Sequence, residues 1–275
     1  MSVVKLITKR LSLRKALSLA GISNTAWYYA KQSRRSIKLD PAVSQTVQKI
    51  GHQRPTYGTR RMAAATSREL QRRVNRKQIR RIFKILGWIE PRKSKKDIIK
   101  VSRKLFHPAA PNQLWEADMS YVDCGSDGWC YCFNVVDAFT RKWVGYPFSP
   151  RATSDVAISS IVYATASQKP DCTNLRIRTD NGTQYKSNAT RKSIKLLGIN
   201  QEFIWHHTPQ QNGHVESFHK TLKKEYLWRH EFANFSEAEI ILADAFADYN
   251  HFRIHSALGY LTPVEFEKQW EMRNK

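Results

Sequence analysis

The sequence predicts an α/β fold, a mixed sheet with helices on its faces, preceded by a basic all-helical region. Charge is the first of three observations behind this. The 275 residues carry 46 Lys and Arg against 23 Asp and Glu, a formal net charge of +23. Residues 1–111 hold 28 basic and 4 acidic side chains, and residues 112–275 hold 18 and 19, so the excess lies in the first part. The second observation is periodicity: apolar residues recur at helical spacing up to about residue 90 and alternate as in strands from Asn112 onward. The third is element order. Three strands joined by short turns are followed by strands alternating with helices, which suits a sheet with antiparallel and parallel parts.

A basic module joined to a near-neutral one implies a polyanionic partner for the first. Nucleic acid is the expected one, because each neutralised phosphate releases counterions. No run of about 18 apolar residues occurs, so no membrane-spanning helix is expected. Cys124, Cys130, Cys132 and Cys172 form no paired framework and lack four-ligand zinc spacing. A reducing cytoplasm, with the protein held at the nucleoid through DNA, is the default location.

Taken in order, Arg14 to Tyr29 reads as helix, turn, helix, with Gly21 at the turn, Ser23 or Asn24 as a cap, and Leu17, Ala20, Ile22 and Trp27 as a small core. The acid-free first 39 residues also have the composition of an organellar transit peptide, but the helix-turn-helix pattern over residues 1–38 is the more specific reading. Pro41 starts a basic helical region over 39–90. Pro55 to Arg61 interrupts it, and a helix then runs to about Glu69. Asn75 caps the next helix, in which Ile79, Ile82, Phe83 and Leu86 form one stripe until Gly87 ends it. Arg76, Lys77, Arg80, Arg81 and Lys84 occupy its other faces, and no acid occurs between Glu69 and Glu90. These side chains, with Arg60 and Arg61, are candidate phosphate contacts. Residues 91–111 form a basic linker.

From Leu114 to Asp123 the chain alternates as a strand, Ser126-Asp127-Gly128 turns it, and Trp129 to Thr140 and Lys142 to Phe148 give two more strands. Cys130 and Cys132 share one strand face, as small buried residues would. A helix is expected over 154–168, a strand over Leu175 to Arg178, a helix near 188–197 stopped by Gly198, and a strand over Gln201 to Ile204.

Three carboxylates stand out against this frame. Asp118 lies mid-strand between Trp115 and Tyr121, where an unpartnered acid is costly to bury. Asp180 ends the fourth strand at an Asn181-Gly182 turn. Glu216 opens a helix after the loop from Trp205 to Gly213, and Lys220 and Lys223 follow it at i+4 and i+7. Acids collected from three elements suit a hard cation such as Mg²⁺, which takes oxygen ligands and leaves positions for phosphate oxygens. Singly, each has a plainer reading: Asp-Asn-Gly is an ordinary turn, and Glu with Lys at i+4 an ordinary surface pair.

Together with their neighbours they resemble a known family. The blocks are Trp115-x-x-Asp118, Val136-Asp137-x-Phe139-x-Arg141, Arg178-x-Asp180-Asn181-Gly182-x-x-Tyr185, Pro209-Gln210-x-Asn212-Gly213-x-x-Glu216-Ser217-Phe218, and Tyr249-Asn250-x-x-Arg253-x-His255 continuing to Pro263. Residues 112–268, within a catalytic-core domain expected over 112–275, thereby resemble the catalytic core shared by retroviral integrases and DDE-type insertion-sequence transposases. Tyr57-Gly58-x-Arg60-Arg61 and Asn75-Arg76-Lys77-x-Ile79-Arg80-Arg81 look like the helical DNA-binding segment of the second-frame insertion-sequence branch. The resemblance implies a ribonuclease-H-like fold and phosphoryl transfer with two Mg²⁺ or Mn²⁺ ions. Asp118 and Asp180 would bind the metals, Glu216 would complete the site, and Asn212 and Gly213 would shape the loop beside it. DNA is then the partner, as element ends and target, with Asn212, Lys220 and Lys223 at the strand. Pairing two ends implies a homo-oligomer, and an upstream-frame protein is a further candidate partner. The integrases' N-terminal zinc module has no counterpart, since residues 1–111 contain no cysteine. His206, His207 and His214 are further candidates for touching DNA. A DNA-binding regulator with a silent core and a purely hydrolytic nuclease are the competing readings.

Overall fold

The computed structural model describes residues 11–23, 25, 27, 39–89, 106–205 and 209–274. The chain forms two compact units, residues 1–45 and 46–275. In the first, helix α1 (Leu13–Leu19) gives way to a turn at Gly21, whose φ of +63° costs glycine nothing. Ala16, Leu17 and Trp27 are buried together, with Leu13, Ala20 and Ile22 against them, the expected small core. Asn24, residues 31–38, residues 91–105 of the basic linker, and His206 and His207 lie outside the described residues.

Helix α2 (Pro41–Gln53) begins at the expected proline, and Asp40 Oδ1 accepts from the N–H groups of Ala42 and Val43. Helices α3 (Thr59–Glu69) and α4 (Arg76–Ile85) follow. Asn75 caps α4 by accepting from Lys77 N at 2.8 Å, which occupies one of the helix's orphan donors. Ile79, Ile82 and Phe83 turn inward, while Arg76, Lys77, Arg80, Arg81 and Lys84 are exposed. Gly51 on α2 admits the Trp88 ring, since a Cβ there would lie 2.4 Å from it.

The second unit is organised on one six-stranded sheet. β1 (Leu114–Asp123) and β2 (Trp129–Asp137) form an antiparallel hairpin; β3 (Trp143–Gly145) and β4 (Phe148–Ser149) both pair with β2. Helix α5 (Ser154–Gln168) leads to β5 (Arg176–Thr179), which runs parallel to β1. Helices α6 (Thr183–Lys186) and α7 (Asn188–Leu196) lead to β6 (Asn200–Phe203), parallel to β5. The order is β3-β2-β1-β5-β6. The single strand expected over 142–148 is two short pieces. Pro147 between them has no N–H to give the ladder, and the β2–β3 register shifts at Val135 and Val136.

Strand alternation divides the core in two. On one face Trp115, Ala117, Phe133 and Val135 meet Ile161 of α5 and Ile194 of α7. On the other, Val122, Cys130, Cys132 and Val136 meet Val215, Phe218 and Leu222 of helix α8 (Gly213–Glu225) and Leu242 and Tyr249 of helix α9 (Phe235–His251). The sequence reading assigns no elements after α8, yet α9 and α10 (Pro263–Arg273) complete the fold. Among the described residues no helix is long and apolar enough to cross a membrane.

Candidate active site

The face of β1 under α8 carries Glu116, Asp118 and Ser120, one polar stripe at period two. β5 runs parallel with Ala117 opposite Thr179, so one further step of register sets Asp180 beside Asp118. Asp180 Oδ1 accepts from Gly182 N at 2.9 Å, and a Cβ on residue 182 would lie 2.9 Å from that same oxygen. A side chain at residue 182 would therefore make the Asp180 carboxylate shift. Asp118 Oδ1 accepts from Met119 N at 2.8 Å. Glu216 sits in the first turn of α8.

A fourth acid fixes how α8 meets the sheet. Glu116 is 1% exposed, and its Oε2 accepts from the backbone N–H groups of His214 and Val215 at 2.9 and 3.0 Å. It therefore binds the positive end of α8 from inside the sheet. Its Oε1 lies 2.8 Å from His214 Nδ1 and 3.7 Å from Arg178 Nη1. Arg178, also buried, donates to Glu202 Oε2 on β6 and to the carbonyls of Gln211 and Phe106. Glu116, Arg178 and Glu202 are register neighbours across three strands. Asn212 lies 2% exposed, with Nδ2 toward the carbonyl of Ala117 at 3.4 Å, so in this structure its amide faces the sheet.

Electrostatics distinguish Asp118 from an ordinary strand residue. Burial pushes its carboxyl up to about 7, and the charges of Asp180 and Glu216 push the same way, against the Met119 N–H and Lys223. All three acids thus share one electrostatic neighbourhood, and Lys223 reaches it. Among the described residues no three His, Cys, Asp or Glu side chains converge tightly enough to hold a single ion. The donor set is a neighbouring Asp pair plus a third acid at electrostatic range. Its chemistry fits hard cations, since a cation would offset both the burial that chiefly raises Asp118 and the repulsion from Asp180 and Glu216 that adds to it.

Two neutral groups complete the surroundings. His219 Nδ1 lies 3.6 Å from Asp118 Oδ2, and its Nε2 lies 3.1 Å from Asn134 Nδ2. Burial, and then Lys223, hold it down to about 4. The Tyr185 hydroxyl is buried without a hydrogen-bond partner among the described residues, and burial followed by the charges of Asp118 and Asp180 raises its pKa. Sequence reasoning gave neither His219 nor Glu116 a role. His219 had one available signal, its place at i+3 from Glu216.

Comparison with known proteins fits this geometry. Residues 108–209 and 197–263 match the Integrase core domain family, and residues 38–96 match the HTH-like domain family. A 31.7 kDa protein of insertion element IS407 from Burkholderia multivorans is 31% identical over 93% of this chain and 90% of its own length. The chain belongs to the insertion-sequence transposase family with an integrase-like core. The transposase of insertion sequence element IS904 from Lactococcus lactis is 32% identical over 60% of this chain and 65% of its own length. A chain of the simian T-cell lymphotropic virus intasome shares the fold at 19% identity and a TM-score of 0.51, covering 81% of this chain and 74% of that one.

The basic residues of this transposase-family chain fall into two groups. Lys77, Arg80, Arg81 and Lys84 line one open groove on α4, and Arg60 and Lys220 are exposed. Arg61 instead pairs with Glu225 at 3.1 Å and stacks over the Tyr57 ring.

Proposed function

We propose that this protein cleaves DNA at the ends of its insertion element and joins the freed 3′-hydroxyl to a target strand. The observation that carries this reading is Asp118 on β1 with Asp180 just past the end of the parallel strand β5 and Glu216 in the first turn of α8, near enough that both of their charges act on Asp118. Asp118 and Asp180 would hold two divalent ions, Mg²⁺ or Mn²⁺, and Glu216 would complete the site. When bound, such ions activate the attacking water or hydroxyl and stabilise the leaving 3′-oxygen. His219, neutral near pH 7, orients Asp118 without adding charge. Lys220 and Lys223 extend from Glu216 along α8 as clamps on the phosphodiester backbone. Helix α4 grips the duplex through Arg76, Lys77, Arg80, Arg81 and Lys84.

In this reading residues 1–38 and 39–90 are DNA-binding modules, 91–111 a basic linker and 112–275 the catalytic core. Two copies pair the two element ends, and an upstream-frame protein is a further partner. The test is to incubate purified protein with its element's end DNA and Mg²⁺ and to look for joined strands. Joined product that disappears in Glu216→Gln supports the proposal. Cleavage without joining would make the protein a hydrolytic nuclease, and binding without either a regulator.

A further inference from the structure

The three carboxylates leave much of the sequence pattern without a task. Arg61 of the Tyr57 to Arg61 block, Arg141 at the end of the Val136 block, His214 and Ser217 beside Glu216, and Arg253 of the Tyr249 block are distant in sequence. The fold brings all of them, with Thr221, to one cavity of about 210 Å³. On α8 the wall residues His214, Ser217 and Thr221 recur at i, i+3 and i+7, on a different face from Glu216, Lys220 and Lys223. The cavity and the acids therefore flank the same helix.

Its charge is unbalanced. Glu225 behind the wall takes Arg253 in a bidentate pair at 2.7 and 2.9 Å and Arg61 at 3.1 Å, so one carboxylate serves two guanidinium groups. Arg141 donates to the carbonyl of Ala138, and among the described residues no ion pair holds it, Glu116 and Asp137 acting on it only at longer range. No carboxylate lines the cavity among those residues. The buried His255 beside it is held down to about 2 by burial and then by the charges of Arg253 and Arg61, with Arg141 acting the same way. Cationic groups partly removed from water without an equal number of anions are costly, and an oxyanion that accepts several N–H bonds offsets that cost. The space admits a phosphodiester group and excludes a base pair.

We infer that this cavity is a phosphate seat, holding one backbone phosphate of bound DNA across α8 from the catalytic acids. The anion chemistry stands on the cavity itself, and the identification of the strand rests on the function proposed above. Arg141 and Arg61 supply forked N–H donors, and Ser217 supplies a hydroxyl donor, while the Thr221 hydroxyl donates to the Ser217 carbonyl.

The test is a metal-free titration of a fluorescent DNA duplex at several salt concentrations, in chelator, with wild type, Arg141→Gln and Ser256→Glu. Ser256 is exposed at the cavity's edge, so its variant brings a carboxylate to the site without removing any guanidinium group. Both variants are expected to bind about tenfold more weakly, and Arg141→Gln to reduce the salt-dependence slope by about 1. Inorganic pyrophosphate should raise the melting temperature of wild type and leave that of Ser256→Glu unmoved. Wild-type affinity and slope in both variants would overturn the inference, as would pyrophosphate protection with unchanged DNA binding. If Arg141→Gln fails to fold, Ser256→Glu decides alone. Should wild type join no strands while the variants lose affinity, the functional reading falls and the phosphate seat remains.

Discussion

Glu116 separates the acids that position this site from those proposed to do its chemistry. Its carboxylate takes two backbone N–H groups of α8 in a buried setting, where charged acceptors contribute about 1.5 to 3 kcal/mol each. Glu116→Gln keeps the shape but presents an amide N–H₂ to donors, so a destabilisation of about 2 kcal/mol is expected by urea titration. Strand joining should fall at least roughly tenfold, because α8 and Glu216 lose their anchor, while duplex affinity through α4 stays at the wild-type level. Loss of a cooperative urea transition in the variant would show general unfolding instead. The sequence could not reveal this role. His214 lies 98 residues from Glu116, and only the β1–β5 register brings Arg178 alongside. By contrast, the places of Asp118 in a strand and of Asp180 at a strand end were legible through strand alternation and the Asn181-Gly182 turn, while their selection as site residues rests on the joint order of the motifs.

At the scale of elements, α4 shows the sequence at its most readable. A stripe of Ile79, Ile82 and Phe83 under five exposed cations follows from helical period and charge alone. Replacing Arg80 and Arg81 together by alanine should weaken duplex binding and lower the salt slope by about 2, with little change in melting temperature, since neither side chain packs inward. An unchanged slope in a salt series would remove α4 from the DNA interface. Helix α9 was not read because its buried stripe mixes small, large and polar residues, Ala238, Leu242, Ala245, Tyr249 and Asn250, while Ile240 is exposed, so apolar residues surround the helix and blur its period. Its caps were nevertheless in the sequence. Asn234 accepts from Glu237 N, and Thr262 with Glu265 forms a reciprocal capping box at α10 just before Pro263.

At the scale of the second unit, the segment from Arg54 to Arg68 is tied to the helices and loops that flank the sheet by ion pairs and hydrogen bonds, of which Arg61–Glu225 is the most buried. Arg54 pairs with Asp248, which also accepts from the Tyr226 hydroxyl. Tyr57 Oη accepts from Ile254 N, Arg61 meets Glu225, and Arg68 meets Glu265 and the Tyr260 carbonyl. Counting charges along the sequence could not separate the half-buried Arg54 and Arg61 from the arginines that face solvent. The joint gives a pH signature with a definite sign. His255 accepts from Arg253 and so must be neutral; its folded pKa, about 2, lies below its ordinary 6.5. The unfolded chain therefore binds the extra proton first, and the stability this group contributes is full above pH 6.5 and lost as pH falls from there toward 2. Glu225, held down to about 2 by Arg253 and Arg61 against its own burial, adds a second loss as pH falls from 4.5 toward 2. Asp118, raised to about 7, acts in the opposite direction between 3.8 and 7, so the wild-type curve alone is not diagnostic. The difference between wild type and His255→Gln isolates one group. Measured by urea unfolding, wild type should lose about 1.4 kcal/mol relative to the variant for each pH unit below 6.5. A pH-independent difference between 7 and 5 would show that His255 is not held neutral, and that the guanidinium cluster around it is open to solvent or already neutralised.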